Sequence, residues 1–163
     1  MLLLLRILLG LLLIALVLLA AGMAGNRPPL TSPPGLAARL KIYLTTNRAE
    51  IRSESIYPEL RPREYPLPPQ QLYATARATL DELGWPLLVE DGASLRLHAV
   101  VVTRLWKFKD DFELTVEPAS AGSRLLVISQ SRVGRGDLGA NTRHILDFSA
   151  ALERRLAELN PRL

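Results

Sequence analysis

Apolar and polar residues alternate along the second half of the chain, and this pattern predicts four β-strands. In the clearest case, DFELTVEP, the apolar residues Phe112, Leu114 and Val116 are separated by polar residues, as in a strand with one buried face. Short turn-forming sequences connect the four runs, so we expect hairpins, with KDD, which contains Asp110 and Asp111, as one of the turns. The four runs are WPLLVED, SLRLHAVVVTRLWKF, DFELTVEP and SRLLVISQSRV, and RAEIRSESIY is an earlier strand candidate.

Two further segments carry the apolar spacing of amphipathic helices. The first begins at Pro69, a favourable first helical residue, and ends at Gly84. The second follows Asn141, which we expect to be its N-cap. The predicted order is strand, helix, four strands, helix. It indicates an α+β fold, an antiparallel five-stranded sheet with both helices on one face.

The predicted strands contain more apolar residues than one covered face of the sheet requires. Large exposed apolar patches usually mark interaction sites. We therefore expect the second face to be covered, either by the Pro-rich segment from Ile42 to Pro68 or by a protein partner, a second copy of the chain or a lipid-like ligand. The apolar residues that would point away from the helices are Val100, Val102, Trp106, Leu126 and Ile128.

The N-terminal segment is apolar enough to cross a membrane. No ionisable side chain occurs from Ile7 to Gly25, after Arg6, and a helix of about 20 apolar residues spans the hydrocarbon core. An uncleaved anchor and a cleaved secretory signal both fit, the latter with Gly22 and Ala24 as small residues at the cleavage site. Both interpretations put the rest of the chain outside the cytoplasm, but basic residues on both sides of the segment leave its orientation open.

A Pro-rich stretch separates this segment from the predicted core. Nine of the twelve prolines lie between Pro28 and Pro69. Between the two Pro clusters, GLAARLKIYLTT has helical apolar spacing, which suits a helix on the membrane surface, a short helix packed on the domain or a fluctuating linker. We therefore predict an anchor or signal segment (1–25), a juxtamembrane linker with a short amphipathic helix (26–48) and one α+β domain (49–163).

The composition of the chain limits its chemistry. The 163 residues include 20 basic and 16 acidic side chains, a net charge of +4, and the basic residues are scattered, unlike the clustered footprint of a nucleic-acid-binding protein. Because there is no cysteine, disulfides, thiolate metal sites, a Cys nucleophile and a lipidated N-terminus are excluded. Imidazole comes only from His98 and His144.

The loop VGRGDLGAN (133–141), which we call the glycine loop, joins the last predicted strand to the last helix and has the spacing GxGxxG at Gly134, Gly136 and Gly139. A dinucleotide site also requires a second parallel strand that carries an acidic residue after this helix, which we do not expect here. The tripeptide Arg-Gly-Asp at 135–137 also matches an adhesion sequence. We predict a structural turn in which the Asp137 carboxylate accepts hydrogen bonds from nearby backbone amides.

Few other residues suggest chemistry. We expect Arg132 or Arg135 to pair with Asp111 or Asp137, or to hold an anion at the start of the last helix. A metal site would require Asp110 and Asp111 to converge with Asp137, although adjacent residues of a strand point to opposite faces. A Ser-His-Asp site would require His144. We predict no cofactor, no metal ion and no catalytic residue.

An ordered string of residues runs through the C-terminal half: an aromatic residue (Phe108) before an Asp-Asp pair, a strand that ends in Ser-Arg, and then Gly, Asp, Gly, Asn and a basic residue. This string resembles the core of the domain of unknown function 1499 family, and the likeness extends over roughly 50–156. We call the residues that carry it the family motif: Asp110, Asp111, Ser131, Arg132, Gly134, Asp137, Gly139, Asn141 and Arg143.

The resemblance implies a secreted or membrane-anchored bacterial protein, with relatives in plastids, and no established activity. It implies a periplasmic domain, tethered to the inner membrane or released if the N-terminal segment is cleaved. We expect a non-catalytic binding or scaffolding module of the cell envelope, in contact with membrane lipid through its N-terminal helix and with a protein partner or lipid-like ligand, and not with nucleic acid. The alternative is a hydrolase or anion-handling enzyme that uses Asp137 and Arg132.

Overall fold

A six-stranded antiparallel sheet forms the centre of the domain in a computed structural model, which describes residues 1–103 and 106–159. The strands lie in the order β1-β6-β5-β4-β3, and the short β2 also pairs with β6. The strands are β1 (Arg48–Glu50), β2 (Glu64–Tyr65), β3 (Leu87–Asp91), β4 (Arg96–Val102), β5 (Lys109–Ala119) and β6 (Gly122–Ser131).

Within the described residues, four α-helices accompany the sheet, and two of them, α3 and α4, pack side by side on one of its faces, which we call the inner face. The α+β fold with both helices on one face is therefore confirmed. The early strand candidate is β1, and β2 adds a sixth strand to the five expected. The helices are α1 (Leu2–Asn26), α2 (Leu36–Thr45), α3 (Pro69–Glu82) and α4 (Ala140–Leu159), with a 3-10 helix at Pro58–Leu60.

The core lies between the inner face and the two helices, because alternate residues of β4, β5 and β6 point toward α3 and α4. Phe112 of β5 is completely buried, and its ring packs 5.0 Å from that of Trp85 and 5.1 Å from that of Phe148 on α4. These aromatic side chains each remove a large apolar area from water. The alternation that predicted the strands therefore also predicted which side chains form the core.

The hairpin between β4 and β5 differs from the prediction. β4 ends at Val102, and Trp106 and Phe108 lie in the connecting loop, where the Thr103 N–H donates to the Phe108 carbonyl oxygen at 2.9 Å. Lys107 has a φ of 55°, so the loop turns at a lysine, which carries no sequence signature of a turn. The prediction that KDD forms the turn is therefore wrong, and Asp110 and Asp111 lie in β5. Residues 104 and 105, which the sequence assigned to the strand, lie outside the described residues.

The Pro-rich segment lies on the inner side of the sheet. Leu60 belongs to the core between the sheet and the helices, and Ile51, Tyr57 and Tyr65 pack against that core. The expectation that this segment covers the other face of the sheet, which we call the outer face, is therefore wrong. The segment closes the edge of the core beside β6 and α4.

The short helix α2 is packed on the domain. Arg39 is fully buried and forms an ion pair with Glu59 of the 3-10 helix at 2.6 Å, with its guanidinium 5.0 Å from the Tyr57 ring centroid. Tyr43 is also buried and accepts a hydrogen bond from Arg39. Of the three arrangements that its sequence allowed, the helix packed on the domain is the one observed.

Candidate functional site

The family motif is divided between the two faces of the sheet. Asp110 opposes Ser131 across β5 and β6, and both side chains point to the inner face. Asp111 is the next residue of β5, so strand alternation sends its side chain to the outer face. Two neighbouring carboxylates of the motif therefore have entirely different surroundings.

On the inner face, a set of polar side chains is buried where β5, β6 and the start of α4 meet. Asn141, with no exposed surface, is its centre: its amide nitrogen lies 2.9 Å from both Ser131 Oγ and the Asn47 carbonyl oxygen, and its amide oxygen accepts from Ser129 Oγ at 2.7 Å. We call this set the buried polar cluster: Asp110, Ser129, Ser131, Asn141 and His144.

Asp110 is the least satisfied member of this cluster. Its side chain is 1% exposed, and neither carboxylate oxygen has a hydrogen-bond partner among the described residues. The closest approach of a basic group is 3.7 Å, from His144 Nδ1. Burial raises the pKa of Asp110 above that of an ordinary aspartate, and the nearby Ser131 hydroxyl offsets only part of this effect.

His144 is held in its neutral form. Burial lowers its pKa to about 4, and the charge of Asp147 opposes the shift only partly. The Trp85 ring packs edge-on against the imidazole, with centroids 5.9 Å apart. Ser129 Oγ lies 3.4 Å from Nδ1, but its hydrogen bond goes to Asn141. The cluster thus contains Ser, His and Asp side chains, but these side chains are buried in the interior of the domain.

The start of α4 is capped by Asp137. Its carboxylate accepts from the backbone N–H groups of Gly139 and Asn141 at 2.8 and 3.0 Å and from the Asn141 amide at 2.8 Å. Burial raises the pKa of Asp137, and these hydrogen bonds counteract the shift. The predicted role of Asp137 in the turn is observed. Asn141, expected as the N-cap, instead lies inside the first turn of the helix, because Asp137 occupies the capping role.

The glycine loop has no unused donors at the helix start. Asp137 N–H donates to the Thr46 carbonyl oxygen, Leu138 N–H to that of Tyr43, and Ala140 N–H to that of Asp137. With the two N–H groups bound by the Asp137 carboxylate, all five consecutive backbone N–H groups from Asp137 to Asn141 donate to protein oxygens. An anion at this helix end would have to displace the carboxylate that already occupies the position.

The same loop is the docking point of α1. Asn26 donates from its side-chain amide to the carbonyl oxygens of Asp137 and Leu138 at 3.3 and 3.1 Å, and the Leu138 side chain packs over Gly22. Gly139 has a φ of 81° and lies so close to Pro28 that a Cβ there would be 2.6 Å from the proline ring. The glycines therefore permit a positive φ and a close approach, and no ligand is required to explain them.

On the outer face, Asp111 and Arg132 form a bidentate ion pair. Arg132 Nε and Nη2 lie 2.9 and 2.6 Å from the two carboxylate oxygens, and His98 Nε2 lies 2.8 Å from one of them. The Arg132 guanidinium, and then His98, lower the pKa of Asp111, while burial acts in the opposite direction. The predicted pairing of Arg132 with Asp111 is observed. Arg143 pairs with Asp147 one turn further along α4.

The predicted interaction face is exposed at one end only. Val100 is 6% exposed, and Leu126 and Ile128 are half-buried. Only Val102 and Trp106, 47% and 49% exposed, are open to solvent, and they lie at the end of β4 and in the hairpin loop. The middle of the outer face is crossed by ion pairs, including Arg96 with Glu113 and Arg124 with Glu117.

The sequence interpretation missed several residues of this site. Asn26 and Asn47 hold the loop, the latter through the carbonyl oxygens of Ser131 and Gly134. Neither lies in a pattern that predicts such a contact. Ser129 did have a signature, because it continues the inward-pointing series of Leu125 and Val127, and a polar residue in such a series has to find a partner.

A cavity of about 200 Å³ lies between α2, β1 and the segment before the 3-10 helix. Its wall is largely apolar, with Ile42, Tyr43 and Leu60, and includes Asp137 and Thr142. The Asp137 carboxylate beside this cavity already accepts hydrogen bonds at the start of α4. Among the described residues, there is no cluster of three acidic or histidine side chains that suits a metal ion.

Comparison with known proteins gives a family and remote similarities to solved structures, two of which are described here. The family model described as "Protein of unknown function (DUF1499)" matches residues 28–152, and no curated protein matches the chain. The crystal structure of Ara h 8.0201 is 14% identical, covers 68% of this chain and 97% of its own, and has a TM-score of 0.43. The crystal structure of TTHA0849 from Thermus thermophilus is 15% identical, covers 69% and 97%, and has a TM-score of 0.35. Neither similarity carries an argument about this chain.

Proposed function

Since the chain belongs to the DUF1499 family, whose function is unknown, we infer its role from its own contacts. We propose that it is a membrane-tethered module on the non-cytoplasmic side of the inner membrane that binds or scaffolds other envelope components and does not catalyse a reaction. Its N-terminal helix holds it in the membrane, and its family motif gives the domain a fixed shape next to that helix.

The observation that carries the proposal is that polar groups of the family motif form hydrogen bonds within the domain. Asn141, Ser131 and Asp137 direct their hydrogen bonds to one another and to the backbone of the glycine loop. Buried polar groups that satisfy one another specify a rigid local structure. The alternative, an enzyme based on Asp137 and Arg132, requires both to face one ligand, whereas Asp137 caps α4 and Arg132 binds Asp111 on the outer face.

The tether is supported by the properties of α1. This helix is 25 residues long, has a mean hydropathy of 3.1 in its most apolar window, and is apolar and long enough to be a membrane anchor or a signal sequence. Its last turn contacts the loop of the domain through Gly22 and Asn26. Such a contact favours an anchor that is retained, because cleavage near Ala24 would remove part of a docked element.

The family resemblance supports the side of the membrane that we propose. Basic residues occur on both sides of α1, so charge does not decide the orientation. The proposal therefore places residues 28–163 in the periplasm.

Protease accessibility of the full-length chain tests this proposal. With a C-terminal tag in a Gram-negative host, we expect the tag to be digested in spheroplasts and protected in intact cells. The protein should stay with membranes after an alkaline wash, and its mass should include residues 1–25. A tag that is protected in spheroplasts, or a mature mass without α1, would overturn the corresponding part of the proposal.

A further inference from the structure

Apolar side chains are exposed on the domain at the end of the sheet where α1 docks. β4 ends at Val102, β5 begins at Lys109 and β6 ends at Ser131, and since these strands are antiparallel neighbours, the three points share one end. The glycine loop that follows β6 binds the last turn of α1. We call this the anchor end of the domain.

The length of α1 places the anchor end at the bilayer surface. The run from Ile7 to Gly25, free of ionisable side chains, is about 28 Å long as a helix, close to the hydrocarbon thickness of about 30 Å. With Arg6 at one interface, Asn26 lies at the other. Because Asn26 is hydrogen-bonded directly to Asp137 and Leu138, the glycine loop is held at the depth of the lipid headgroups.

The first part of α1 does not lie along the domain. Residues 2–18 are all exposed, and Gly22 is the one helix residue that is fully buried. The helix therefore projects away from the domain at the anchor end. A bilayer that surrounds α1 must face the same end of the sheet.

Two segments at the anchor end have the composition of a membrane interface. They read Trp-Lys-Phe-Lys at 106–109 and Arg-Val-Gly-Arg at 132–135, so apolar and basic residues are interleaved and neither segment contains an acidic residue. Trp106 and Phe108 are each 49% exposed and Val133 is 56% exposed. The two segments are adjacent, because the Arg132 N–H donates to the Lys109 carbonyl oxygen at 3.4 Å.

We propose that the anchor end is a second membrane contact, in which the hairpin loop and the glycine loop insert Trp106, Phe108 and Val133 into the interfacial layer of an anionic bilayer. Aromatic side chains prefer this layer, and the basic neighbours are attracted to the headgroup phosphates of anionic lipids. This inference rests on the proposed membrane tether. It names the lipid surface as the partner of the exposed end of the sheet.

A lipid surface accounts for these features better than a protein partner does. The exposed apolar residues lie at the anchor end, which α1 holds close to the bilayer. Lipid is therefore the surface nearest to them. The exposed basic residues Lys107, Lys109 and Arg135 complement anionic phosphate without requiring a matching acidic surface. Two contacts, α1 and the anchor end, would also fix the orientation of the domain on the membrane.

Single-cysteine labelling of the full-length chain tests the contact, since the natural sequence has no cysteine. Variants F108C and V133C carry an environment-sensitive fluorophore at the anchor end. The matched control is L159C, at a residue that is 67% exposed and apolar but lies at the other end of α4. G10C, at a position in α1 where a Cβ meets no other atom within 4 Å, reports on the tether itself.

The labelled proteins are reconstituted in vesicles of phosphatidylcholine with phosphatidylglycerol that contain nitroxide lipids. We expect blue-shifted emission and quenching of the labels at Phe108 and Val133, weaker quenching in pure phosphatidylcholine or high salt, and no quenching at Leu159. If the label at Gly10 is quenched but those at Phe108 and Val133 are as free as that at Leu159, the second contact is disproved and the tether stands. If Gly10 is also unquenched, the proposed tether fails. Energy transfer between anchor-end labels of different chains, without quenching, would mean that a second copy occupies the surface and would overturn the proposal.

Discussion

Asp110 and Asp111 are neighbours in the chain, yet they lie on opposite faces of the sheet and their pKa values are shifted in opposite directions. Asp110 is 1% exposed, has no hydrogen-bond partner among the described residues and has a raised pKa. Asp111 is 27% exposed, is paired with Arg132 and His98 and has a lowered pKa. The family motif is therefore not one site: its inner part lies in the buried polar cluster and at the start of α4, and its outer part is an ion pair at the surface.

The largest loss of stability is expected for Asn141→Ala, on the inner face of the sheet. The change removes all four hydrogen bonds of the Asn141 side chain, so the free energy of unfolding should fall by about 3–4 kcal/mol. Chemical unfolding of the full-length chain in detergent measures it. Gln130→Ala, an exposed position on the outer face of β6, is the control and should change stability little. Equal effects at the two positions would refute the distinction between the faces.

The second largest effect is a loss of stability at low pH that is caused by His144, on the inner face. Its folded pKa of about 4 is below the unfolded value of 6.5, so the unfolded state takes up the proton first as the pH falls. Its contribution to stability should be complete above pH 6.5 and should disappear progressively toward pH 4, by up to about 3 kcal/mol. Subtracting the stability profile of His144→Gln isolates this term. A difference profile that is flat between pH 6.5 and 4 would contradict the buried, neutral imidazole.

The third effect is a gain in stability. The raised pKa of Asp110 means that the folded state holds its proton more tightly than the unfolded state, so stability is lost as the pH rises from 3.8 through the folded pKa. Asp110→Asn removes the buried charge and should raise the free energy of unfolding at neutral pH by about 1–2 kcal/mol, with little difference at acidic pH. Thermal denaturation of both proteins across this range measures the change. If the variant is less stable than the natural protein at neutral pH, Asp110 has a favourable partner or a role beyond folding.

The smallest effect is expected for Asp111→Asn on the outer face. Its lowered pKa gives the opposite sign: the stabilisation is present above pH 3.8 and is lost as the pH falls through the folded pKa. Because the pair with Arg132 is partly exposed, its contribution is small. Thermal unfolding at neutral pH should therefore show only a slight loss, which added salt diminishes further. A loss as large as that of Asn141→Ala would show that the outer pair also organises the fold.

Much of the fold was predictable because strand alternation and helical spacing depend on local sequence. The inward positions of Phe112, Leu114 and Val116 and the stripe of α4 followed from the pattern. The pairing of Arg132 with Asp111 was one of several pairings that the sequence left open. The hairpin did not, because the chain turns at Lys107 with a positive φ, and neither glycine nor asparagine marks the position.

The candidate site was only partly predictable, because its contacts join distant segments. Asp137 and Asn141 are both good capping residues, and the sequence alone does not choose between them. The choice depends on Asn47 and Ser131, whose positions relative to Asn141 are set by the pairing of β1 with β6. The docking of Asn26 on the loop likewise connects residues more than 100 positions apart in the chain.

The claim that the family motif stabilises the fold is tested most directly by the free energy of unfolding of Asp137→Ala in the full-length chain. We expect a loss of about 1–2 kcal/mol, as for removal of a helix N-cap, and partial recovery in Asp137→Asn, whose amide oxygen still accepts a hydrogen bond. Arg135→Ala, an exposed residue of the same loop, should leave stability unchanged. An Asp137→Ala protein that melts at the same temperature as the natural chain would contradict the claim and favour a chemical role for this carboxylate.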